Sequence, residues 1–162
     1  NSVCVKINKP AEIKSNWYEV SFTINTPPDI NLDLKTDVGS IKIVKITGDI
    51  FAKTDVGSIN IKDASGKLRL KTDVGEIKAS YAEYADPAVN ADLKTDVGSI
   101  TFKGPEIMSA KIYAKTDVGA LHSSLAGKME GDCCSKKLTA TIGSGDGEIR
   151  LKTDVGSINI NK

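Results

Sequence analysis

Histidine is almost absent from this chain. His122 is the only one, and no recurring Asp or Ser accompanies it in the sequence. A hydrolytic triad would need partners placed by the fold, so His122 reads as a solvated or hydrogen-bonded side chain. Charge of one sign is also missing: 22 Lys+Arg face 21 Asp+Glu, which argues against a protein held to nucleic acid or a membrane surface by bulk electrostatics. No apolar run approaches the roughly 18 residues that a membrane-spanning helix needs. Phosphate-binding loops, dinucleotide fingerprints and zinc spacings are absent, and Cys4, Cys133 and Cys134 make no C-x-x-C. Adjacent cysteines rarely pair with each other. Three thiols therefore leave either unpaired side chains or a bridge from Cys4 to the Cys133–Cys134 pair, within or between subunits.

What is present is repetition. The pentapeptide Lys-Thr-Asp-Val-Gly occurs at 35–39, 53–57, 71–75, 94–98, 115–119 and 152–156 without substitution. The copies start 18, 18, 23, 21 and 37 residues apart, which describes an 18-residue unit with two short insertions and one degenerate copy. A fixed period of this size without helical patterning is the mark of a solenoid. The chain of 162 residues is long enough for one domain with a real core.

A finer rhythm divides each unit. Gly39, Gly48, Gly57, Gly66 and Gly75 are nine residues apart, so a coil is two strands and two corners. Leu32, Leu34, Thr36 and Val38 alternate before Gly39, and Ile41 and Ile43 after it. The phase shift falls on a glycine, as a corner or bulge requires. This phase predicts that Thr and Val point inward while Lys and Asp point outward. Stacked coils then build one column of Lys35, Lys53, Lys71, Lys94, Lys115 and Lys152. Beside it stands a column of Asp37, Asp55, Asp73, Asp96, Asp117 and Asp154. The lysines neutralise an acid column that would otherwise repel itself, and the buried threonines are expected to hydrogen-bond along the stack.

Residues 1–30 lack the repeat and read as two strands, one alternating at Val3, Val5 and Ile7, the other at Tyr18, Val20, Phe22 and Ile24. Trp17, Tyr18 and Phe22 suit a cap or assembly segment over an open coil, with residues 31–162 forming the solenoid. An insertion at 79–93 carries Tyr81 and Tyr84 and reads as a loop that could hold a ligand. The degenerate coil spans about 121–138, with Cys133 and Cys134 on the edge of the Lys-Thr-Asp column. Residues 143–147 then make the far corner of the last coil. That coil, 151–160, is a full consensus unit, so Ile158 and Ile160 read as an uncapped edge that another subunit covers head to tail. Such a contact builds a filament unless it closes, and the competing expectation is a monomer with a solvated edge.

For ligands, the nonapeptide halves invite comparison with calcium-binding β-rolls. Those need G-G-x-G-x-D-x-U-x, and here each corner has one Gly and the Lys column competes for the acids. Asp146 and Glu148 are the remaining metal candidates. Ice-binding solenoids present outward T-x-T pairs, which the inward Thr column does not. Paired acids for glycoside cleavage would be singled out, whereas these acids are repeated. No cofactor and no enzyme activity are expected.

The units T-x-x-G-x-I-x-I at 36–43, 54–61 and 153–160 resemble the bacterial and archaeal "putative adhesin" family of β-strand repeats, grouped with auto-transporter-adhesin head domains of uncharacterised function. The resemblance covers roughly 31–162. It implies an all-β parallel solenoid (a β-helix, right-handed by expectation) at the cell surface or outside it. The start at Asn1 suits a processed, secreted product or a fragment. The functional expectation is adhesion or head-to-tail self-assembly. The alternatives are a module binding glycan or envelope polymer and, behind it, a calcium-binding β-roll.

Overall fold

Each repeat folds as a long strand, a glycine corner and a short strand returning on the opposite side. The computed structural model describes residues 21–132 and 134–162. The long strands are β1 (Leu32–Val38), β3 (Ile50–Val56), β5 (Leu68–Val74), β7 (Asn90–Val97), β9 (Ala110–Val118) and β13 (Gly147–Val155). Their short counterparts are β2 (Ile41–Val44), β4 (Ile59–Ala64), β6 (Ile77–Tyr81), β8 (Ile100–Lys103), β10 (Leu121–Ser123) and β14 (Ile158–Asn161). Two further strands, β11 (Lys128–Gly131) and β12 (Lys136–Ile142), depart from the repeat. No helix occurs among the described residues, so none is long and apolar enough to cross a membrane.

Long strands pair in parallel in one sheet and short strands in another, with the core between them. The register carries Lys onto Lys and Thr onto Thr from rung to rung, so a parallel β-solenoid follows directly from the repeat. Inward Ile, Leu and Ala side chains from both sheets fill the space, among them Ile59, Leu70, Ile77, Leu93, Ile100 and Phe102, each at most 1% exposed.

The corner glycines have two physical causes. Gly75 sits at φ +150°, a region L side chains rarely adopt. A Cβ on it would also run into the backbone carbonyl of Gly57 one rung away. Threonine is fully buried at 54, 72, 95, 116 and 153, as the phase predicts. These hydroxyls do not bond to one another, however. Each donates to the carbonyl of a corner glycine on the neighbouring rung, as Thr95 does to Gly75 at 3.2 Å and Thr153 to Gly98 at 3.0 Å.

Valine contradicts the expected inward placement. Val56, Val74, Val97, Val118 and Val155 are 47–53% exposed and Val38 is 75% exposed. Each is the last residue of its strand, where the chain leaves the sheet for the corner and the opposite sheet no longer covers it.

The order of rungs departs most from expectation. The long sheet runs β1-β3-β5-β7-β13-β9-β12-β11, and the short sheet β2-β4-β6-β8-β14-β10. Unit 151–160 is therefore an interior rung, seated between β7/β8 and β9/β10. Ile158 and Ile160 are 0% exposed and their strand is paired on both sides, which corrects their reading as an uncapped edge. The cause is a skipped rung. Residues 104–109 carry the chain past one strand position, β12 returns antiparallel to β9, and the turn at 143–146 brings β13 back into the vacant slot. The expected degenerate coil is thus an antiparallel hairpin, β11 with β12. Residues 143–147 lead from that hairpin into β13 rather than forming a solenoid corner.

Trp17, Tyr18, Cys4 and Cys133 lie outside the described residues. The described part of the strand expected over 18–24 is irregular, and its Phe22 is 54% exposed.

Candidate functional site

The outer face of the long sheet is a set of columns fixed by register. The lysine column runs Lys35, Lys53, Lys71, Lys94, Lys152, Lys115, and β12 adds Lys137 opposite Lys115. Strands lie about 4.8 Å apart, so seven lysines span about 29 Å. Five of the six repeat lysines pair with the Asp two residues on, as Lys53 with Asp55 at 2.9 Å and Lys152 with Asp154 at 3.1 Å. Lys35 turns instead to Asp33 at 3.5 Å. A hydrogen bond to Asp55 raises the Lys53 pKa, and one to Asp117 raises that of Lys115. Asp117 is held below its ordinary 3.8 chiefly by the same bond. Oδ1 of Asp73, Asp96 and Asp154 is shielded from water by its lysine without an aligned hydrogen bond, so these contacts are electrostatic. Charges this evenly paired and this exposed serve the scaffold, and solvent screening keeps each pair weak.

Two outward columns break the repetition: Asn31, Asp49, Lys67, Asn90, Glu148 and Lys111 stand four positions before the lysines, and a second varying set stands nearer to them. Two positions before each lysine the residue changes from rung to rung. In spatial order it reads Asp33, Phe51, Arg69, Asp92, Arg150, Tyr113, with Thr139 of β12 beyond. A shallow groove of about 560 Å³ lies along it, from Asp33 to Arg150, at the strand starts. The Lys35 ammonium sits 5.1 Å from the Phe51 ring centre, and that of Lys137 sits 5.2 Å from the Tyr113 ring centre. Arg150 is forked onto Glu148 at 2.7 and 2.9 Å. Arg69 and Asp92 take part in no ion pair or hydrogen bond of their side chains among the described residues. The groove floor is held by side-chain bonds that repeat at the far corner. Asn31 accepts from the Asp49 N–H, Asp49 from the Lys67 N–H, and Asn90 from the Glu148 N–H. In the sequence the regular Lys, Thr and Asp positions hide the nearer column, although it stands at a fixed distance before each lysine.

The other expected site residues are dispersed. Tyr81 ends β6, is 4% exposed, and its hydroxyl lies 3.0 and 2.8 Å from the Gly66 and Asn90 carbonyls. Burial pushes its phenol pKa up, and its ring leans on Phe102 at 6.0 Å. Tyr84 is 88% exposed in the following loop, so the two tyrosines do not make one surface. Asp146 accepts a 2.6 Å hydrogen bond from Ser109, while Glu148 holds Arg150. Among the described residues no three His, Cys, Asp or Glu side chains gather as a metal would need. His122 is exposed on the outer face of the short sheet, opposite Asn159. The Cys134 carbonyl accepts from Gly119 N–H at 3.3 Å, placing it at the corner beyond the lysine column.

In comparisons with known proteins, no curated protein matches this chain. A crystal structure from Clostridium sporogenes, described as a "putative cell adhesion protein", is similar in fold. It has a TM-score of 0.65 and 15% identity, over 83% of this chain and 92% of that one. The toastrack DUF4097 family matches residues 9–161. With almost the whole chain inside that match, this protein belongs to the toastrack DUF4097 family.

Proposed function

We propose that this protein is a structural adhesin-type solenoid that works at the cell surface or outside it, making contact through the outer face of its long sheet. The observation that carries the reading is the pair of varying outward columns at the strand starts, beside an invariant, charge-paired ladder of Lys and Asp. A rigid scaffold that repeats its structural residues and varies outward positions beside them separates support from recognition. The similarity to a protein described as a "putative cell adhesion protein" supports the same role.

Self-assembly has less support. The last consensus unit is interior, and the terminal strand β11 is four residues long with Lys128 and Glu130 paired on it. Short charged edges are what sheets use to block edge-to-edge addition. Beads coated with the full chain should retain cell-envelope fragments. A Phe51→Ala/Arg69→Ala/Arg150→Ala variant should lose that retention, and a Lys42→Ala/Lys78→Ala variant on the opposite face should keep it. Equal retention by both variants would overturn the reading.

A further inference from the structure

We infer that the groove along the varying column binds a linear, neutral glycan through side chains alone, an inference that rests on the adhesive reading and names its ligand. Chain order conceals the arrangement. Only the insertion of β13 between β7 and β9 puts Arg150 beside Asp92. Across five rungs the column then reads Phe51, Arg69, Asp92, Arg150, Tyr113, symmetric about Asp92. At about 4.8 Å per rung the two arginines stand about 10 Å apart and the two rings about 19 Å.

Three features select the ligand. First, the charged residues lining the groove nearly balance. Asp33, Asp49, Asp92 and Glu148 face Lys67, Arg69 and Arg150, which gives a polyanion such as nucleic acid no electrostatic advantage. Second, the groove crosses strands that are paired on both sides from β3 to β13. Over that stretch it offers no free backbone edge to an extended peptide, which binds a sheet by adding a strand. Third, guanidinium and carboxylate planes alternate along it. A sugar hydroxyl both donates and accepts, and neighbouring hydroxyls on a ring match the two-pronged geometry of both groups. The Phe51 ring in the groove and the Tyr113 ring on the rung beyond it supply apolar faces for the C–H surface of a sugar. Arg69 and Asp92 enter such contacts without first breaking an ion pair. The length across rungs favours several sugar units over one.

The test is amide mapping by NMR on the labelled full chain, titrated with laminarihexaose, chitohexaose and maltohexaose, and separately with the acidic hexagalacturonate. A neutral hexamer should move the amides around 33, 51, 69, 92 and 150 and saturate at millimolar concentration. Arg69→Ala should weaken it about tenfold, the loss expected for one charge-assisted hydrogen-bonded contact. Phe51→Ala should weaken it as well, and Lys42→Ala should not. Three results would overturn the inference: no shifts with any neutral hexamer, shifts confined to other residues, or tighter binding of the acidic hexamer at the groove. Envelope retention lost in Arg69→Ala with no hexamer bound would leave adhesion standing and remove the glycan. Hexamer binding at the groove with retention unaffected would do the reverse.

Discussion

Three corner glycines separate backbone conformation from rung collision, and alanine at each should order their costs. Gly39 lies at φ +134°, and among the described residues a Cβ there meets nothing nearer than Thr36 Oγ1 at 3.9 Å. Gly66 has an ordinary φ, but its Cβ would drive into the Gly48 carbonyl. Gly75 has both problems, with φ +150° and the Gly57 carbonyl in the way. A non-glycine residue in such a backbone region costs about 1–3 kcal/mol, and forcing an extra methyl into a packed site costs about 1–3 kcal/mol. Gly75→Ala should therefore cost about 2–6 kcal/mol, and Gly39→Ala and Gly66→Ala each about half of that. A chain of this length unfolds with an entropy of about 0.34 kcal/mol/K, so 1 kcal/mol moves Tm by about 3 °C. Calorimetry should place Gly75→Ala about 3–9 °C below Gly39→Ala. Equal melting of these two variants would refute the idea that the neighbouring rung's carbonyl, beyond φ itself, demands glycine.

Other outcomes follow from the same geometry. Tyr81→Phe should lower stability by about 1–3 kcal/mol in denaturant titration, because a buried carbonyl loses its hydroxyl donor. Thr95→Val keeps the shape, removes the bond to Gly75, and should cost about 1 kcal/mol by the same measurement. Ile158→Asp should abolish cooperative folding by circular dichroism, since it places an unpaired charge in an interior rung; a folded, self-associating variant would contradict the interior placement. In pH-dependent melting, the Asp117 contribution is present above its ordinary 3.8 and lost as pH falls through the lower folded value. That of Lys115 is present below 10.5 and lost as pH rises through the raised folded value. Lys115→Met should flatten both limbs relative to wild type.

The repeat made the coil, its two halves and the roles of Lys, Asp and Thr legible, because register stacks like residues on like. Valine misled because alternation describes a strand but not where the opposing sheet stops covering it. The threonine bonds were missed because period alone does not say that a corner carbonyl lies nearer than the next hydroxyl. Rung order was hidden for a deeper reason: six identical pentapeptides pair equally well in any sequence. The hints were the 21- and 37-residue spacings and the stretch 120–151, which lacks the pentapeptide altogether. The varying column at 33, 51, 69, 92, 113 and 150 was readable residue by residue. Its symmetry about Asp92 was not, since it exists only in the threaded order.

That threading changes how the molecule holds together in time. A solenoid built in chain order can grow from one end and fray from the other, each rung depending on its predecessor. Here the rung laid down by residues 147–161 is wedged between two that are synthesised earlier, so neither neighbour finishes its pairing until it arrives. Loosening it would part the stack through the middle, separating the rungs of β1–β8 from the hairpin end. The last consensus unit of the chain therefore acts as its keystone, converting an array of near-independent units into a structure that closes in one late step.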